Sequence, residues 1–224
     1  MNFKAAIFDM DGTLLESMHV WQNLAADFLK KHRIFPGDDF AVKTSVPSIR
    51  GAVEYMIDTF GLPLDAESET AEIYEFMYDF YISKVQLKPG VEKLLGTLRR
   101  SGIKCGLVTA TEPGLAAAAL KYTGLSEFFG SRILSGAEHN ISKSTPLPFL
   151  MLCKTLQSSP PETIVFEDAF YAAKCASLAG HPVAAIYDDT EPAQDELAGI
   201  ADWYCRSWEN FPLEIFSCSD RNLT

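Results

Sequence analysis

Short apolar runs alternate along the chain with longer segments in which apolar positions recur every three or four residues. Four of the runs end at a polar residue or a turn and are predicted to be buried strands: Ala5–Phe8, Cys105–Val108, Thr163–Phe166 and Val183–Ile186. Helices are predicted around them at Gly90–Ser101, Pro113–Tyr122, Pro148–Leu156 and Phe170–Leu178. Strands that alternate with helices form right-handed βαβ units. The pattern therefore predicts an α/β fold with a doubly wound, Rossmann-like parallel sheet.

One stretch interrupts this alternation. Between the first and second predicted strands the chain shows only helical patterns, at Met18–Lys31, Ser48–Phe60 and Glu67–Lys84. We interpret this stretch as an inserted domain. The predicted organisation is an α/β core formed by residues 1–15 and 86–224, and a helical domain formed by residues 16–85.

Composition and charge narrow the possible partners. Hydrophobic residues make up 47% of the chain and charged residues 22%, which is typical of a globular protein. The 19 basic and 30 acidic residues give a net charge of −11. An acidic surface repels the phosphate backbone, so we expect no nucleic-acid partner. A small phosphorylated ligand remains compatible with this charge, because a metal ion or a lysine reverses the local field in a pocket.

The sequence also argues against a membrane or an oxidising location. No apolar run approaches the ~20 residues of a membrane span, and the N-terminal segment reaches Asp9 before a signal-peptide apolar region of useful length. The five cysteines are scattered and form no C-x-x-C pair, which disfavours a disulfide framework or a zinc site. We expect a cytoplasmic protein without a membrane partner.

Polar side chains follow three of the four predicted strands, at segments 9–13, 109–111 and 167–168. Ligands of doubly wound sheets bind outside the carboxyl ends of the strands. Two of these ends are acidic, which suggests a hard cation held by oxygen ligands, most simply Mg²⁺. Taken singly, the first segment is also compatible with an ordinary turn and the last with a helix cap. The prediction therefore depends on the convergence of the segments.

Together these segments resemble the four signatures of the haloacid dehalogenase superfamily of phosphohydrolases. The first signature corresponds to Ile7–Leu14, the second to Thr109, the third to Lys143 and the fourth to Glu167–Asp168. They occur in order, and the resemblance covers nearly the whole chain. The inserted helices resemble the cap of the beta-phosphoglucomutase-like and phosphoglycolate-phosphatase-like branch.

The resemblance implies a role for each acidic residue. Asp9 would be the nucleophile that forms an aspartyl-phosphate. Asp11 would protonate the leaving alcohol and then take a proton from the attacking water. The Asp9 side chain, the Asp11 backbone carbonyl and Asp168 would bind Mg²⁺, with Glu167 in or beside the ligand shell.

The resemblance also indicates which groups would bind the phosphate and which reaction the protein would catalyse. Lys143, the Thr109 hydroxyl and the backbone amide of Ala110 would contact the phosphoryl oxygens. Asp11 favours a phosphate ester over a haloacid, because the dehalogenases of the superfamily lack this second aspartate. The expected function is Mg²⁺-dependent hydrolysis of a small phosphorylated metabolite by a monomer or weak homodimer.

Two alternatives remain open. Family mutases carry a histidine in the first cap helix in a D-[ST]-x-x-x-H pattern, whereas Trp21 stands at that place here and His19 is displaced by two positions. Hydrolysis is therefore favoured over a sugar-phosphate mutase. The second alternative is non-catalytic: a phosphoacceptor like a response-regulator receiver, or a scaffold that keeps the site without useful activity. Such receivers are about half as long and have no comparable helical insertion.

The inserted helices are expected to select the substrate. Trp21, Lys43 and Arg50, together with His19, are the candidate specificity residues. The aromatic residues between Tyr74 and Tyr81 are predicted to pack between helices rather than to line a substrate pocket. None of these signals identifies the metabolite.

Overall fold

A computed structural model describes residues 3–35, 48–139 and 141–216. Its centre is a parallel sheet in the order β3-β2-β1-β4-β5-β6. The six strands are β1 (Ala5–Phe8), β2 (Lys104–Thr109), β3 (Ile133–Ser135), β4 (Thr163–Glu167), β5 (Val183–Ile186) and β6 (Trp203–Cys205). The predicted α/β fold class is confirmed.

Helices cover both faces of the sheet. They are α1 (Met18–Lys31), α2 (Ile49–Phe60), α3 (Ala66–Ser83), α4 (Val91–Arg100), α5 (Pro113–Tyr122), α6 (Ser126–Phe129), α7 (Gly136–His139), α8 (Leu147–Leu156), α9 (Phe170–Leu178) and α10 (Gln194–Ile200). Short 3₁₀ turns lie at Pro160–Glu162, Trp208–Asn210 and Leu213–Phe216. Each helix predicted from the sequence is present, with ends that agree to within one residue.

Alternate strand residues point into two separate apolar layers. On one face Ala6 and Phe8 pack with α4, α5 and the C-terminal turns. On the other face Ala5 and Ile7 pack with α8, α9 and α10. Because both faces are covered, β1 is buried along its whole length, which explains its uninterrupted apolar sequence.

The stretch 16–85 contributes α1, α2 and α3 between β1 and α4. Helix α3 packs against α2 and also against α5 of the sheet layer. Leu15 and Leu87 form an antiparallel bridge, so the two connections to this stretch run side by side. We call residues 16–85 the helical insertion. Its status as a separate domain stays a prediction.

Two sheet strands and three short helices were not predicted. Strands β3 and β6 lie at the two edges of the sheet and are three residues long. The short helices are α6, α7 and α10. Elements of this length contain too few positions to establish a periodic pattern.

Further findings concern the membrane and the cysteines. In the described part of the chain, no helix combines the length and apolar character needed to cross a bilayer. Cys105, Cys153, Cys175 and Cys205 are free thiols.

The C-terminal turns hold the loop that follows β1. The indole Nε1 of Trp208, a fully buried side chain, donates to the backbone carbonyl of Thr13 at 2.8 Å. The backbone N–H of Trp208 donates to Pro89 at 3.1 Å. Gly90 has a φ of +90°, and a Cβ there would lie 2.3 Å from the backbone nitrogen of Glu209. A glycine is therefore required where the chain enters α4.

This close approach predicts a large cost for Gly90→Ala. The added Cβ would meet backbone atoms, so we expect the free energy of unfolding to fall by roughly 3 kcal/mol or more. Gly61→Ala is the matched control, because Gly61 has a φ of +59° but open space around a Cβ. It should lose only about 1 to 2 kcal/mol. Urea denaturation measures both, and equal losses would contradict the packing explanation.

Candidate active site

The carboxyl ends of β1, β2 and β4 bring the predicted residues to one edge of the sheet. Asp9 directly follows β1, and its backbone N–H donates to Phe166 of β4 at 3.0 Å. This contact places Asp9 beside Glu167, the last residue of β4. Thr109 ends β2, the other neighbour of β1. The convergence expected from the strand ends is therefore present in the structure.

Lys143 lies between the first and fourth of these segments. It belongs to the turn before α8, and its Nζ donates to Asp9 Oδ1 at 2.7 Å and to Glu167 Oε1. Only 7% of Lys143 is exposed. Burial alone would lower the pKa of Lys143, but Asp9 and Glu167 hold that pKa well above its usual range. The ammonium group therefore stays charged at neutral pH.

Both oxygens of the Glu167 carboxylate have hydrogen-bond donors within the protein. One oxygen accepts from Lys143, and the other accepts from the backbone N–H groups of Asp168 and Ala169, both at 3.1 Å. In this structure Glu167 thus fixes Lys143 and the entry to α9. Asp168 accepts a hydrogen bond from Thr13 Oγ1 at 2.7 Å.

The loop after β1 approaches Asp168 closely. Gly12 has a φ of +84°, and a Cβ at that position would lie 2.2 Å from Asp168 Oδ2. No larger residue fits without displacing the carboxylate. Gly12 therefore allows the backbone of the first segment to reach the acidic end of β4.

The acidic groups carry unbalanced charge. Ligand atoms of Asp9, Glu167 and Asp168 lie within 4.8 Å of one another, and all three residues are buried. With all three carboxylates ionised, the formal charge of the cluster together with the Lys143 ammonium is −2. Burial raises the pKa of Asp9 to about 6, which Lys143 opposes and Glu167 increases. Burial and the neighbouring carboxylates also hold the pKa of Asp168 well above its usual range. This all-oxygen, doubly negative cluster fits a hard divalent cation such as Mg²⁺.

Asp11 is held differently, by three hydroxyl groups. Ser17 Oγ and the Tyr81 hydroxyl each donate to Oδ1 at 2.6 Å, and Thr111 Oγ1 donates to Oδ2 at 2.6 Å. Burial raises the pKa of Asp11, and the three hydroxyl hydrogen bonds partly oppose that shift. Trp21 Nε1 donates in turn to the Tyr81 hydroxyl at 2.9 Å.

Ser17, Thr111 and Tyr81 were not predicted as site residues. Thr111 belongs to a strand-end segment that was recognised, so its position carried a usable signal. The sequence predicts that Tyr81 packs between helices. It is fully buried, but its hydroxyl also contacts Asp11.

The predicted phosphate-binding residues lie beside this cluster. Thr109 is buried, and its Oγ1 accepts the backbone N–H of Thr111 at 3.1 Å. This bond uses a lone pair of the hydroxyl and leaves its proton able to donate. Ala110, the next residue, is exposed to solvent.

The predicted specificity residues occupy different places. Trp21 reaches the site through Tyr81. Arg50 Nε pairs with Glu54 at 2.8 Å on the exposed surface of α2. Lys43 lies outside the described residues. His19 is exposed, with its ring 6.2 Å from that of Phe80. A role of any of these residues in substrate selection stays a prediction.

The chain is similar to known proteins along most of its length. Residues 3–180 match the family of haloacid dehalogenase-like hydrolases. N-acetylmuramic acid 6-phosphate phosphatase of Pseudomonas aeruginosa is 28% identical over 229 residues, which cover 100% of this chain and 97% of that protein. Phosphoglycolate phosphatase of Rhodospirillum rubrum is 27% identical over 218 residues, or 89% and 90% of the two chains. The crystal structure of CbbY from Rhodobacter sphaeroides in complex with phosphate has the same fold, with a TM-score of 0.76, 18% identity and coverage of 94% and 96%.

The doubly negative cluster predicts that Mg²⁺ stabilises the folded protein. At a Mg²⁺ concentration ten times the dissociation constant, we expect the thermal midpoint to rise by about 3 to 6 °C. Asp168→Asn should remove most of this rise, because it deletes a negative charge of the cluster. The asparagine keeps an oxygen that can accept the hydrogen bond from Thr13. Asp58→Asn, an exposed change on α2, is the matched control. An undiminished rise in Asp168→Asn would place the cation elsewhere.

Proposed function

Because the chain belongs to the haloacid dehalogenase-like hydrolases, we propose that it is a Mg²⁺-dependent phosphatase that hydrolyses a small phosphomonoester through a phosphorylated Asp9. The predicted family is thus confirmed. Relatives that align along nearly the whole chain are named phosphatases, which supports the predicted enzyme class. The observation that carries the proposal is the buried contact of Lys143 with both Asp9 and Glu167.

In the first step, a carboxylate oxygen of Asp9 attacks phosphorus. A bond forms between Asp9 and phosphorus, and the bond from phosphorus to the ester oxygen breaks. The leaving alkoxide takes a proton from the carboxyl group of Asp11. The raised pKa of Asp11 supports this role, because it keeps a larger share of the carboxyl group protonated.

In the second step, water attacks the phosphorus of the aspartyl-phosphate. Asp11, now ionised, takes a proton from this water. The bond between phosphorus and Asp9 breaks, so that inorganic phosphate leaves and the Asp9 carboxylate is restored. The same side chain thus serves as acid and then as base, and no net proton is lost from the site.

Charge and hydrogen bonds around Asp9 support both steps. Lys143 offsets the negative charge of the phosphoryl oxygens, and Thr109 and the backbone amide of Ala110 donate to them. Asp9, Asp168 and the backbone carbonyl of Asp11 would hold Mg²⁺, with Glu167 beside it. When bound, the ion reduces the repulsion between the Asp9 carboxylate and the anionic substrate.

The proposed substrate is a small phosphorylated metabolite that fits beneath the helical insertion. The names of the two relatives give N-acetylmuramic acid 6-phosphate and phosphoglycolate as their substrates. Because these compounds differ, the relatives support a substrate class and not one compound. We also propose a cytoplasmic monomer or weak homodimer, without nucleic-acid or membrane partners, in keeping with the net charge of −11.

Hydrolysis is favoured over the mutase alternative. Trp21 stands where family mutases carry a histidine, and its indole N–H is used on Tyr81. An indole has no basic nitrogen and cannot exchange a proton as a histidine does.

We expect Asp9→Asn to lower phosphate release by at least ~10³-fold, which corresponds to about 4 kcal/mol of barrier. Asparagine keeps the shape of the side chain but removes the nucleophilic carboxylate. The measurement is phosphate release from a panel of phosphomonoesters with and without Mg²⁺, and Asp58→Asn should retain the wild-type rate. Near-normal Mg²⁺-dependent turnover by Asp9→Asn would refute the nucleophile assignment.

A further inference from the structure

We propose that Tyr81, held in place by Trp21, is a positioning residue that orients the carboxyl group of Asp11 toward the leaving group. The proposal rests on the proposed function of Asp11 as the proton donor. It makes α1 and α3 of the helical insertion part of the apparatus that transfers the proton, in addition to any contact that they make with the substrate.

The direction of the hydrogen bonds follows from the chemistry of the two side chains. An indole N–H can only donate, so the contact at 2.9 Å uses a lone pair of the Tyr81 oxygen. A phenol carries one proton, and Asp11 Oδ1 accepts it at 2.6 Å. The Tyr81 hydroxyl also lies within hydrogen-bond reach of Thr111, whose own proton goes to Asp11 Oδ2. The proton of Tyr81 is therefore directed at Asp11. The hydrogen bond from Trp21 restricts the rotation of the Tyr81 hydroxyl about its C–O bond.

Tyr81 differs from the other two residues because an aromatic ring within a helix carries its hydroxyl. It is fully buried, and its ring packs against that of Phe80 with centroids 5.5 Å apart. Ser17 lies in the connection that leads into α1, and Thr111 lies in the loop before α5. A buried aromatic ring has two side-chain torsions and is held by packing, so its hydroxyl is fixed relative to α3.

The contacts distinguish the two oxygens of Asp11. Among the described residues, Oδ1 accepts from both Tyr81 and Ser17, whereas Oδ2 accepts from Thr111. We therefore assign Oδ1 as the anchored oxygen and Oδ2 as the one that gives its proton to the leaving group. The Thr111 hydroxyl can rotate and accept when Oδ2 is protonated.

This assignment separates positioning from simple packing. Tyr81→Phe keeps the ring and removes only the hydroxyl, so packing is preserved while the contact with Asp11 is lost. Trp21→Phe removes the donor that holds the hydroxyl. If the two residues act in series, the loss of Tyr81 makes Trp21 irrelevant to Asp11.

The test compares phenyl phosphate with 4-nitrophenyl phosphate, two substrates of similar shape. Phenol is the weaker acid, so its departure depends more on protonation by Asp11. We expect Tyr81→Phe to lower kcat/KM for phenyl phosphate about 30-fold and for 4-nitrophenyl phosphate about 3-fold or less. kcat/KM is the appropriate quantity because it reports the steps up to formation of the phosphorylated enzyme.

Trp21→Phe should lower kcat/KM for phenyl phosphate about 3-fold in the wild-type background and cause no further loss in Tyr81→Phe. Tyr78→Phe is the matched control on the same helix, because Tyr78 is 42% exposed. It should behave as wild type with both substrates. Thermal unfolding of each variant establishes that the fold is intact. If Tyr81→Phe does not fold, the same two-substrate comparison is made with Trp21→Phe.

Two outcomes would overturn the proposal. Equal losses on both substrates would mean that Tyr81 acts only through structure, and losses that multiply in the double variant would mean that Trp21 and Tyr81 act independently. Failure of the proposed function looks different. In that case wild-type protein releases no phosphate from any monoester, or Asp9→Asn is as active as wild type, and the positioning proposal falls with it.

Discussion

The arrangement of the site depends on two buried ion pairs, which Lys143 forms with Asp9 and with Glu167. Removing an ammonium group from water is costly unless carboxylates surround it. The ammonium group in turn offsets the repulsion between those carboxylates. The parallel sheet supplies the geometry, because β1 and β4 are neighbours and end at the same edge. With Asp168 included, the ionised group has a net negative formal charge, which suits a divalent cation.

Residues of the helical insertion contact the acidic end of the sheet through hydrogen bonds to Asp11. The carboxyl group of Asp11 accepts hydrogen bonds from both parts of the protein. The Thr111 hydroxyl of the core donates one, and the Tyr81 hydroxyl of the insertion donates another. The proposed nucleophile, Asp9, is thus held by the sheet, whereas the proposed proton donor, Asp11, lies where sheet and insertion meet. In the proposed mechanism, the placement of α1 and α3 affects the proton transfer more directly than the attack by Asp9.

The central fold could be predicted from the sequence because β1, β2, β4 and β5 are covered on both faces and read as uninterrupted apolar runs. The edge strands β3 and β6 could not be predicted, because a run of three residues is too short to show a periodic pattern. The convergence of Asp9, Thr109 and Glu167 followed from parallel topology. The contact of Tyr81 could not be predicted in this way, because an aromatic residue that packs and one that also donates to Asp11 share the same helical spacing.

The central claim is that Asp9 attacks phosphorus, and the most direct measurement is mass spectrometry of protein quenched in acid during turnover of a hydrolysed phosphomonoester. The account predicts a phosphoryl group on the peptide that contains Asp9, removed by hydroxylamine as expected for an acyl phosphate. A phosphoryl group found on another residue would contradict the account. So would turnover of 4-nitrophenyl phosphate by Asp11→Asn in which the peptide with Asp9 stays unmodified. This leaving group needs little protonation by Asp11, so the substitution should slow hydrolysis of the adduct more than its formation.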